Sequence, residues 1–276
     1  MTSDIERIIN YSRYPITEPN SAIFVEVIKR ARHELNEKGI ALLPDFMLSS
    51  ALKETITDTE QVLPKAFRGI SDHNVYLEDC KEEKLELNRP SQIISRSSKS
   101  CVTHDQINPS TPLKKLYMSQ AMTDFVRLLL QREVLYRTAD PLGALNVHVY
   151  KERDQLNWHF DRGEFAVTLL LQSPERGGHF QYIPSTRTQS KNNYPREMKT
   201  TTLLASQAGK DLSDLGVKQA DLQPGTLVIF CGRNSMHRVT PVQGSKSRIL
   251  AVLSYEQKPD VFLNEYTRMK FYGRLR

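Results

Sequence analysis

Apolar residues recur every three or four positions in the first half of the chain, which is the spacing of an amphipathic helix. Each such stretch starts at a capping residue, and the first one ends at a glycine. The third begins with Thr111-Pro112, a capping threonine followed by the proline that suits the first helical position. The predicted helices run from Asn20 or Ser21 to Gly39, from Ser49 or Ser50 towards Lys65, and from Thr111 along an apolar stripe to Leu128.

Short strands dominate the second half of the chain. The stretch L-N-V-H-V-Y alternates, so that Val147 and Val149 face one side and Asn146, His148 and Tyr150 face the other. The three polar residues line either a pocket or a solvent-exposed surface, and the alternation alone does not separate these two possibilities. Continuous apolar runs predict further buried strands at 165–171, 226–230 and 249–253.

Helices followed by short strands predict an α+β protein with a mainly β core. We expect a single domain over residues 1–276. Within it, 1–140 form a helical and loop support with the first core strands, 141–256 form the β core, and 257–276 form a C-terminal tail. The polar stretch 184–222 is expected to be an insertion with a short helix near 201–208. The polar stretch 66–110 is expected to form loops with one or two short strands, and its histidines, His73 and His104, are expected to be exposed.

The composition is that of an ordinary globular protein, with 39% hydrophobic and 25% charged residues in a chain of 276. There is no apolar run of about 18 residues, so no membrane partner is expected. The first residues lack the apolar core of a signal peptide, and the three cysteines have no metal-site spacing. These features predict a cytoplasmic protein with reduced thiols. The sequence does not indicate an oligomeric state.

The net charge of +6 raises the question of a nucleic-acid partner. Lysines and arginines are spread along the whole chain with acidic residues between them. No concentrated basic stripe with interleaved aromatic residues is present. The charge therefore does not favour nucleic acid as the partner.

His159 and Asp161 lie two residues apart in N-W-H-F-D-R-G-E-F, and in an extended strand they project to the same face. Two histidines and one carboxylate form the facial triad that binds non-haem Fe(II) and leaves positions open. His237 follows a second apolar strand and is the candidate third ligand. An isolated H-x-D is common by chance, and by itself it indicates a surface histidine beside a solvated aspartate. The apolar strands next to both motifs favour the metal site.

An H-x-D motif, a distant histidine and then Arg248 at the start of an apolar strand resemble the Fe(II)/2-oxoglutarate-dependent oxygenases, over about Leu145 to Glu256. Locally, W-H-F-D-R-G-E-F-A-V-T-L-L-L-Q and G-G-H-F-Q-Y-I-P resemble the branch that contains the carrier-independent amino-acid halogenases and hydroxylases. The resemblance implies a jelly-roll or cupin-like double-stranded β-helix, braced by the N-terminal and middle helices. It also implies catalytic Fe(II), 2-oxoglutarate as co-substrate, and O₂.

The resemblance further implies that Arg248 binds the far carboxylate of 2-oxoglutarate, as a guanidinium can in bidentate fashion. The family's usual Arg-x-Ser is absent, because Leu250 stands where the serine would be. Thr168 and Ser247 are the candidates for the missing hydroxyl.

Candidate substrate contacts come from two places in the sequence. One is the polar face of the alternating strand, with Asn146, His148 and Tyr150. The other is the mouth of the metal site, with Arg162 and Glu164, for which a solvated turn is an equally good interpretation.

The resemblance implies hydroxylation of an unactivated C–H bond in a small molecule, a free amino acid or a similar polar metabolite, with release of succinate and CO₂. In the halogenating members a small residue replaces the carboxylate and makes room for chloride, so Asp161 predicts hydroxylation. One alternative is a nucleotide- or nucleic-acid-directed dioxygenase of the demethylating type. The other is a non-catalytic binding protein on the same fold, which the presence of all four expected residues disfavours.

Overall fold

The computed structural model describes residues 4–77, 93–187 and 216–276. Across these ranges, no helix combines the length and the apolar character that crossing a bilayer requires. The α-helices of the described residues are α1 (Ala22–Lys38), α2 (Ser49–Val62), α3 (Pro112–Met118), α4 (Gln120–Leu129) and α5 (Glu265–Tyr272). The strands are β1 (Ile40–Leu43), β2 (Phe67–His73), β3 (Ser95–Val102), β4 (Tyr136–Arg137), β5 (Leu145–Tyr150), β6 (Leu156–His159), β7 (Ala166–Gln172), β8 (Arg176–Gly177), β9 (Phe180–Ile183), β10 (Lys218–Gln219), β11 (Leu227–Phe230), β12 (Met236–Val239), β13 (Val242–Gln243), β14 (Arg248–Leu253) and β15 (Tyr255–Glu256).

The first helix follows its sequence signals. The Ser21 hydroxyl accepts a hydrogen bond from the Phe24 amide at 3.2 Å and so caps α1. Gly39 ends the helix with a φ of 71°, a left-handed conformation that glycine adopts without strain. The buried face of α1 then packs into the main core of the protein.

The predicted single helix after Thr111 is two helices. Ser119 adopts an extended conformation, and its hydroxyl accepts from the Met122 amide to cap α4. The same hydroxyl donates to the Leu116 carbonyl at the end of α3. A serine that bonds both helix ends stabilises a break here, and the apolar spacing that continues across it does not reveal that break.

The larger sheet has seven strands in the order β1-β11-β7-β14-β5-β3-β2. One face of this sheet packs against the helices α1 to α4, through side chains such as Val147, Leu169 and Ile249. The other face carries Asn146, His148 and Tyr150 on β5 and lines a cavity. The alternation of β5 therefore separates a core face from a face whose polar residues line the cavity.

The smaller sheet has four strands in the order β10-β9-β12-β6, and it contributes to the opposite wall of the same cavity. Strands β12 and β6 pair antiparallel, with His237 opposite His159. The two sheets and their supporting helices form the predicted α+β fold with a double-stranded β-helix core.

The stretch 66–110 is more regular than predicted. Strands β2 and β3 pair along their length, with Phe67 opposite Cys101 at one end and His73 opposite Ser95 at the other. The expected exposure of His73 is wrong, because its side chain is only 2% exposed. Its ring nitrogens bond the Asn74 carbonyl and the Ser97 hydroxyl, which compensates for the burial of a polar ring. His104 is half-buried.

The predicted tail 257–276 contains the helix α5. Its Arg268 forms an ion pair with the buried Asp140 at 2.6 Å, and its Tyr272 hydroxyl donates to Asn146. Of the insertion 184–222, residues 188–215 and the helix expected near 201–208 lie outside the described residues. The last part of the insertion contains strand β10, which pairs with β9. The single-domain organisation stays a prediction.

Candidate metal centre and cavity

The cavity between the two sheets has a volume of about 360 Å³. Strands of both sheets and the helix α5 contribute its walls. The polar and charged side chains that line it are Lys99, Asn146, His148, Tyr150, His159, Asp161, Arg162, Thr168, His237, Arg248, Ser254, Thr267 and Tyr272.

His159, Asp161 and His237 converge at one end of this cavity. The Asp161 Oδ1 lies 3.6 Å from the His159 Nε2 and 3.5 Å from the His237 Nε2. The candidate ligand atoms of the three residues all lie within 4.8 Å of one another. Strand β6 ends at His159, and Asp161 lies just beyond it, yet its carboxylate still faces the histidines. The three side chains thus offer two nitrogens and a carboxylate oxygen to one point, as a facial triad requires.

Both histidines are oriented by the backbone. The Nδ1 of His159 lies 2.7 Å from the Asn157 carbonyl, and the Nδ1 of His237 lies 2.9 Å from the Ser235 carbonyl. Since a carbonyl only accepts, each Nδ1 carries the proton and each Nε2 presents its lone pair. Such hydrogen bonds fix ring orientation in metal sites, and here they point both Nε2 atoms at the Asp161 carboxylate.

Gly232 makes room for the aspartate. A Cβ at position 232 would lie 1.9 Å from the Asp161 Oδ2, which no side chain tolerates. The Asp161 amide also donates to the Gly232 carbonyl at 3.0 Å. The loop after β11 therefore packs directly on the carboxylate and holds it beside the histidines.

The protonation states suit a cation. Burial, together with the neighbouring His237, lowers the pKa of His159 to about 4, so this ring is neutral at physiological pH. Burial raises the pKa of Asp161, but His237 and His159 more than offset it, so the pKa of this carboxyl is below its usual value. A neutral imidazole and a carboxylate are the forms that bind a metal ion.

Arg248 is a buried cation without a full set of partners. The residue is 2% exposed, and its Nη1 has no hydrogen-bond partner among the described residues. Its guanidinium lies 5.5 Å from the ring centroid of Tyr150, whose buried hydroxyl likewise lacks a described partner. Burial lowers the pKa of Arg248 and raises that of Tyr150. Two orphaned donors in one cavity fit the far carboxylate of 2-oxoglutarate, since an unsatisfied buried cation is costly.

The other predicted cofactor residues are placed differently. Thr168, on β7, lines the cavity. Ser247 does not line it, and its carbonyl accepts from the Gln172 side chain at 2.9 Å. Of the two candidate hydroxyls, the structure thus brings Thr168 alone to the cavity wall.

The three predicted substrate residues of β5 all line the cavity, but they are not equally available. The side-chain amide of Asn146 donates through its Nδ2 to the Leu142 and Leu145 carbonyls and accepts through its Oδ1 from the Tyr272 hydroxyl. These bonds occupy most of its capacity and tie α5 to the sheet. His148 has one described polar contact, to Lys99.

Arg162 and Glu164 were both predicted at the mouth of the metal site, but their side chains lie in different places. Arg162 is exposed, lines the cavity and donates to the Thr267 hydroxyl of α5 at 3.5 Å. Glu164 lies instead in an adjoining cleft of about 500 Å³, where it pairs with Arg132 at 2.6 Å. The structure therefore does not bring Glu164 to the wall of the metal cavity.

Sequence reasoning missed Lys99, whose ammonium Nζ lies 3.2 Å from the His148 Nδ1. The signal was present in S-R-S-S-K-S, because Ser97, Lys99 and Cys101 alternate along β3 and share a face. It also missed Ser97 as a support of the site. The Ser97 hydroxyl bonds His73 and accepts from the Asn157 amide, next to the carbonyl that orients His159.

Comparison with known proteins identifies the family. The model of the family Halogenase D matches residues 25–269. No curated protein sequence gives a significant match.

Several solved structures share the fold. The non-haem α-ketoglutarate-dependent epimerase SnoN from nogalamycin biosynthesis superposes with a TM-score of 0.54 at 12% identity, over 84% of this chain and 83% of SnoN. The carbocyclase SnoK from the same biosynthesis gives 0.53 at 14% identity, over 82% and 83%. HygX from Streptomyces hygroscopicus, with nickel and 2-oxoglutarate bound, gives 0.50 at 12% identity, over 82% and 85%.

At these identities the solved structures establish the fold, whereas the family match establishes descent for most of the chain. The predicted superfamily is confirmed: the chain belongs to the Halogenase D family and is an oxygenase of the Fe(II)/2-oxoglutarate-dependent superfamily.

Proposed function

We propose that the protein is an Fe(II)- and 2-oxoglutarate-dependent hydroxylase of a free amino acid or a similar small polar metabolite. The observation that carries this proposal is the pairing of two features in one cavity. A triad of two histidines and a carboxylate stands at one position, and Arg248, whose Nη1 has no hydrogen-bond partner among the described residues, stands at another. A metal-chelating dicarboxylate satisfies both features at once.

In this proposal His159, Asp161 and His237 hold the metal ion. Arg248 and the Tyr150 hydroxyl bind the far carboxylate of 2-oxoglutarate and so orient it towards the metal. When bound, Fe(II), 2-oxoglutarate and O₂ supply the oxidising chemistry, with succinate and CO₂ as co-products. The apolar side chains Phe180, Phe230 and Leu250 line the same cavity and exclude water from the reacting atoms.

Hydroxylation rather than halogenation is supported by the geometry of Asp161. Its carboxylate lies within 3.6 Å of both histidine Nε2 atoms and so occupies the third position of the triad. A halide ligand needs that position to be vacant. The family's descriptive name therefore does not decide the reaction of this chain.

A small substrate is supported by the size of the cavity. Ligand pockets span about 300 to 1,000 Å³, and this one, at about 360 Å³, lies at the low end while also holding the co-substrate. Among the described residues Cys101 and Cys231 form no disulfide, which supports a reducing compartment, and we place the protein in the cytoplasm.

The experiment is a turnover panel. The purified protein, loaded with Fe(II), is incubated with 2-oxoglutarate, O₂ and each free amino acid in turn. Succinate is quantified, and each product mixture is searched by mass for the gain of one oxygen. We expect one or a few amino acids to stimulate succinate formation and to gain one oxygen.

The variant His159→Ala is the matched control, because it removes one ligand from the centre. It should lose bound iron and succinate formation and keep the circular dichroism of the wild type. Full turnover in His159→Ala, or no succinate from the wild type with any compound, contradicts the proposal.

A further inference from the structure

Lys99 places a second positive charge in the metal cavity. It lies on β3, is half-buried, and lines the cavity wall beside His148. Among the described residues its ammonium has one polar partner, the His148 Nδ1 at 3.2 Å, and no carboxylate within ion-pair distance. A half-buried ammonium without an anionic partner is unusual, because its desolvation is ordinarily compensated by a paired charge.

His148 orients this ammonium. An ammonium group only donates hydrogen bonds, so the Nδ1 of His148 accepts and its Nε2 carries the proton. Burial lowers the pKa of His148 well below its usual value, and the charges of Lys99 and Arg248 lower it further. The ring therefore stays neutral and does not compensate Lys99, whose own pKa is lowered by burial, so that an anionic ligand would favour its charged form.

The charges of the loaded site leave Lys99 without a counterion. Asp161 is the one acidic side chain among the described residues that line the cavity. The doubly charged metal ion and Arg248 are balanced by Asp161 and the two carboxylates of 2-oxoglutarate. Lys99 is then surplus, and Arg162 at the mouth has the same sign. The remaining ligand, the organic substrate, is the group left to supply a negative charge.

Arg248 and Lys99 differ in a way that separates their roles. Arg248 is 2% exposed and has an orphaned Nη1, so it suits a co-substrate that is bound in every turnover. Lys99 is more accessible and adjoins a small crevice lined by Leu77, Leu156 and Phe271. These apolar residues also line the main cavity, so a ligand at Lys99 has an apolar surface beside its charged group.

We infer that Lys99, oriented by His148, binds the carboxylate of the organic substrate, and that the enzyme selects carboxylate-bearing metabolites with an uncharged or apolar body. This inference rests on the proposed hydroxylase function and specifies its substrate class. A substrate with a cationic side chain meets Lys99 and Arg162, two cations without a counterion, and no acidic residue other than Asp161 among the described residues that line the cavity.

The test uses equilibrium binding, so it does not depend on turnover. The protein is loaded with Mn(II) and 2-oxoglutarate without oxygen, and ligands are titrated by calorimetry. The probes are the free amino acids and their α-carboxamides, which are matched pairs that differ in the carboxylate. We expect at least one uncharged amino acid to bind, its carboxamide to bind at least about tenfold more weakly, and L-lysine to bind more weakly than its uncharged counterpart L-norleucine.

Lys99→Met is the diagnostic variant. It should weaken the amino acid at least about tenfold, to the level of the carboxamide, and leave carboxamide binding unchanged. Lys99→Arg should restore most of the binding. Lys151→Met, which changes an exposed lysine just after β5, is the control and should match the wild type. Thermal unfolding of each variant verifies that it is folded.

Four results overturn the inference. In the wild type, these are equal binding of an amino acid and its carboxamide, and no binding of any amino acid. In Lys99→Met, these are unchanged binding of the amino acid, and loss of 2-oxoglutarate binding in place of amino-acid binding. The proposed function fails separately. If no compound stimulates succinate formation while Lys99-dependent binding persists, the reaction is wrong and the binding site stands.

Discussion

In the proposed function, the carboxylate of Asp161 separates this site from that of a halogenase. Wild type, given its substrate and chloride, should yield hydroxylated product alone. Asp161→Gly should bind iron more weakly, because it loses an anionic ligand, and hydroxylation should fall sharply. Product mass and isotope pattern, with and without chloride, provide the measurement. Chlorinated product from the wild type, or unimpaired hydroxylation in the variant, would show that Asp161 is not a ligand.

Arg248 is expected to control the co-substrate. Arg248→Met should raise the KM for 2-oxoglutarate by roughly tenfold or more, since a charged hydrogen bond contributes about 1.5–3 kcal/mol. Tyr150→Phe should have a smaller effect, because it removes one neutral donor and keeps the ring. Succinate formation at varied 2-oxoglutarate concentrations measures both. If the KM of Arg248→Met equals that of the wild type, another residue binds this carboxylate.

Single residues differed in how far sequence could predict them. The candidate ligands His159 and His237 were predictable, because an apolar strand follows the first and precedes the second, and the residue types match a known metal centre. Lys99 was predictable only as one member of an alternating strand face, because a lysine among serines resembles a solvated strand until the neighbouring strand is in place. Glu164 illustrates the reverse, since proximity in sequence to the H-x-D motif did not place its side chain in the metal cavity.

At the scale of elements, the loop after β11 positions the metal centre as much as the strands do. Gly232→Ala should displace the Asp161 carboxylate, since the new Cβ would lie 1.9 Å from its Oδ2. We expect a loss of iron affinity and turnover with little change in thermal stability, because the three atoms nearest to the added Cβ all belong to the Asp161 side chain. Metal content after dialysis and the melting temperature are the two measurements.

Gly163→Ala is the matched control for Gly232→Ala. Its added Cβ would meet the Phe165 carbonyl at 3.5 Å, an ordinary contact, so iron affinity should be retained. Equal iron affinity in Gly232→Ala and the wild type would mean that the carboxylate adjusts freely, and the supporting role of the loop would be wrong.

The elements themselves were largely predictable where a local signal exists. The Ser21 cap and Gly39 bound α1 as expected, because both act within a few residues of themselves. The break at Ser119 was not predictable, because serine also occurs inside helices and the apolar spacing continues across this position. The lengths of strands β2 and β3 were under-predicted, because their sequences are polar and lack the apolar alternation by which a strand is recognised. Their backbones nevertheless pair with each other along their length.

At the scale of the whole molecule, the ion pair between Arg268 and Asp140 ties α5 to the start of the β core. Burial raises the pKa of Asp140, but backbone amides and Arg268 offset it, so this pKa lies below its usual value. A depressed carboxyl pKa contributes stability above about pH 4, which is lost as pH falls towards the folded-state value. The ion pair therefore holds α5, which forms part of the cavity wall, at neutral pH, and it weakens in acid.

Arg268→Met should lower the free energy of unfolding at pH 7 by about 1.5–3 kcal/mol, the contribution of a charged hydrogen bond. It should also reduce the part of the stability that is lost in acid, because without Arg268 the pKa of Asp140 lies closer to its unfolded-state value. Urea unfolding between pH 3 and pH 7 measures both effects. Arg127→Met removes a partly exposed pair within α4 and should cost at most about 0.5 kcal/mol. Equal effects of the two variants would contradict this assignment.

Neighbouring residues of strand β5 face opposite sides of the sheet, so folding and binding depend on different side chains of the same strand. Val147 and Val149 lie among the helices, whereas His148 and Tyr150 face the cavity. A change at Val147 or Val149 alters how much folded protein a cell accumulates, whereas a change at His148 or Tyr150 alters what the cavity binds. Because the two sets share one backbone and little else, substrate preference can drift along this strand while folding is left intact.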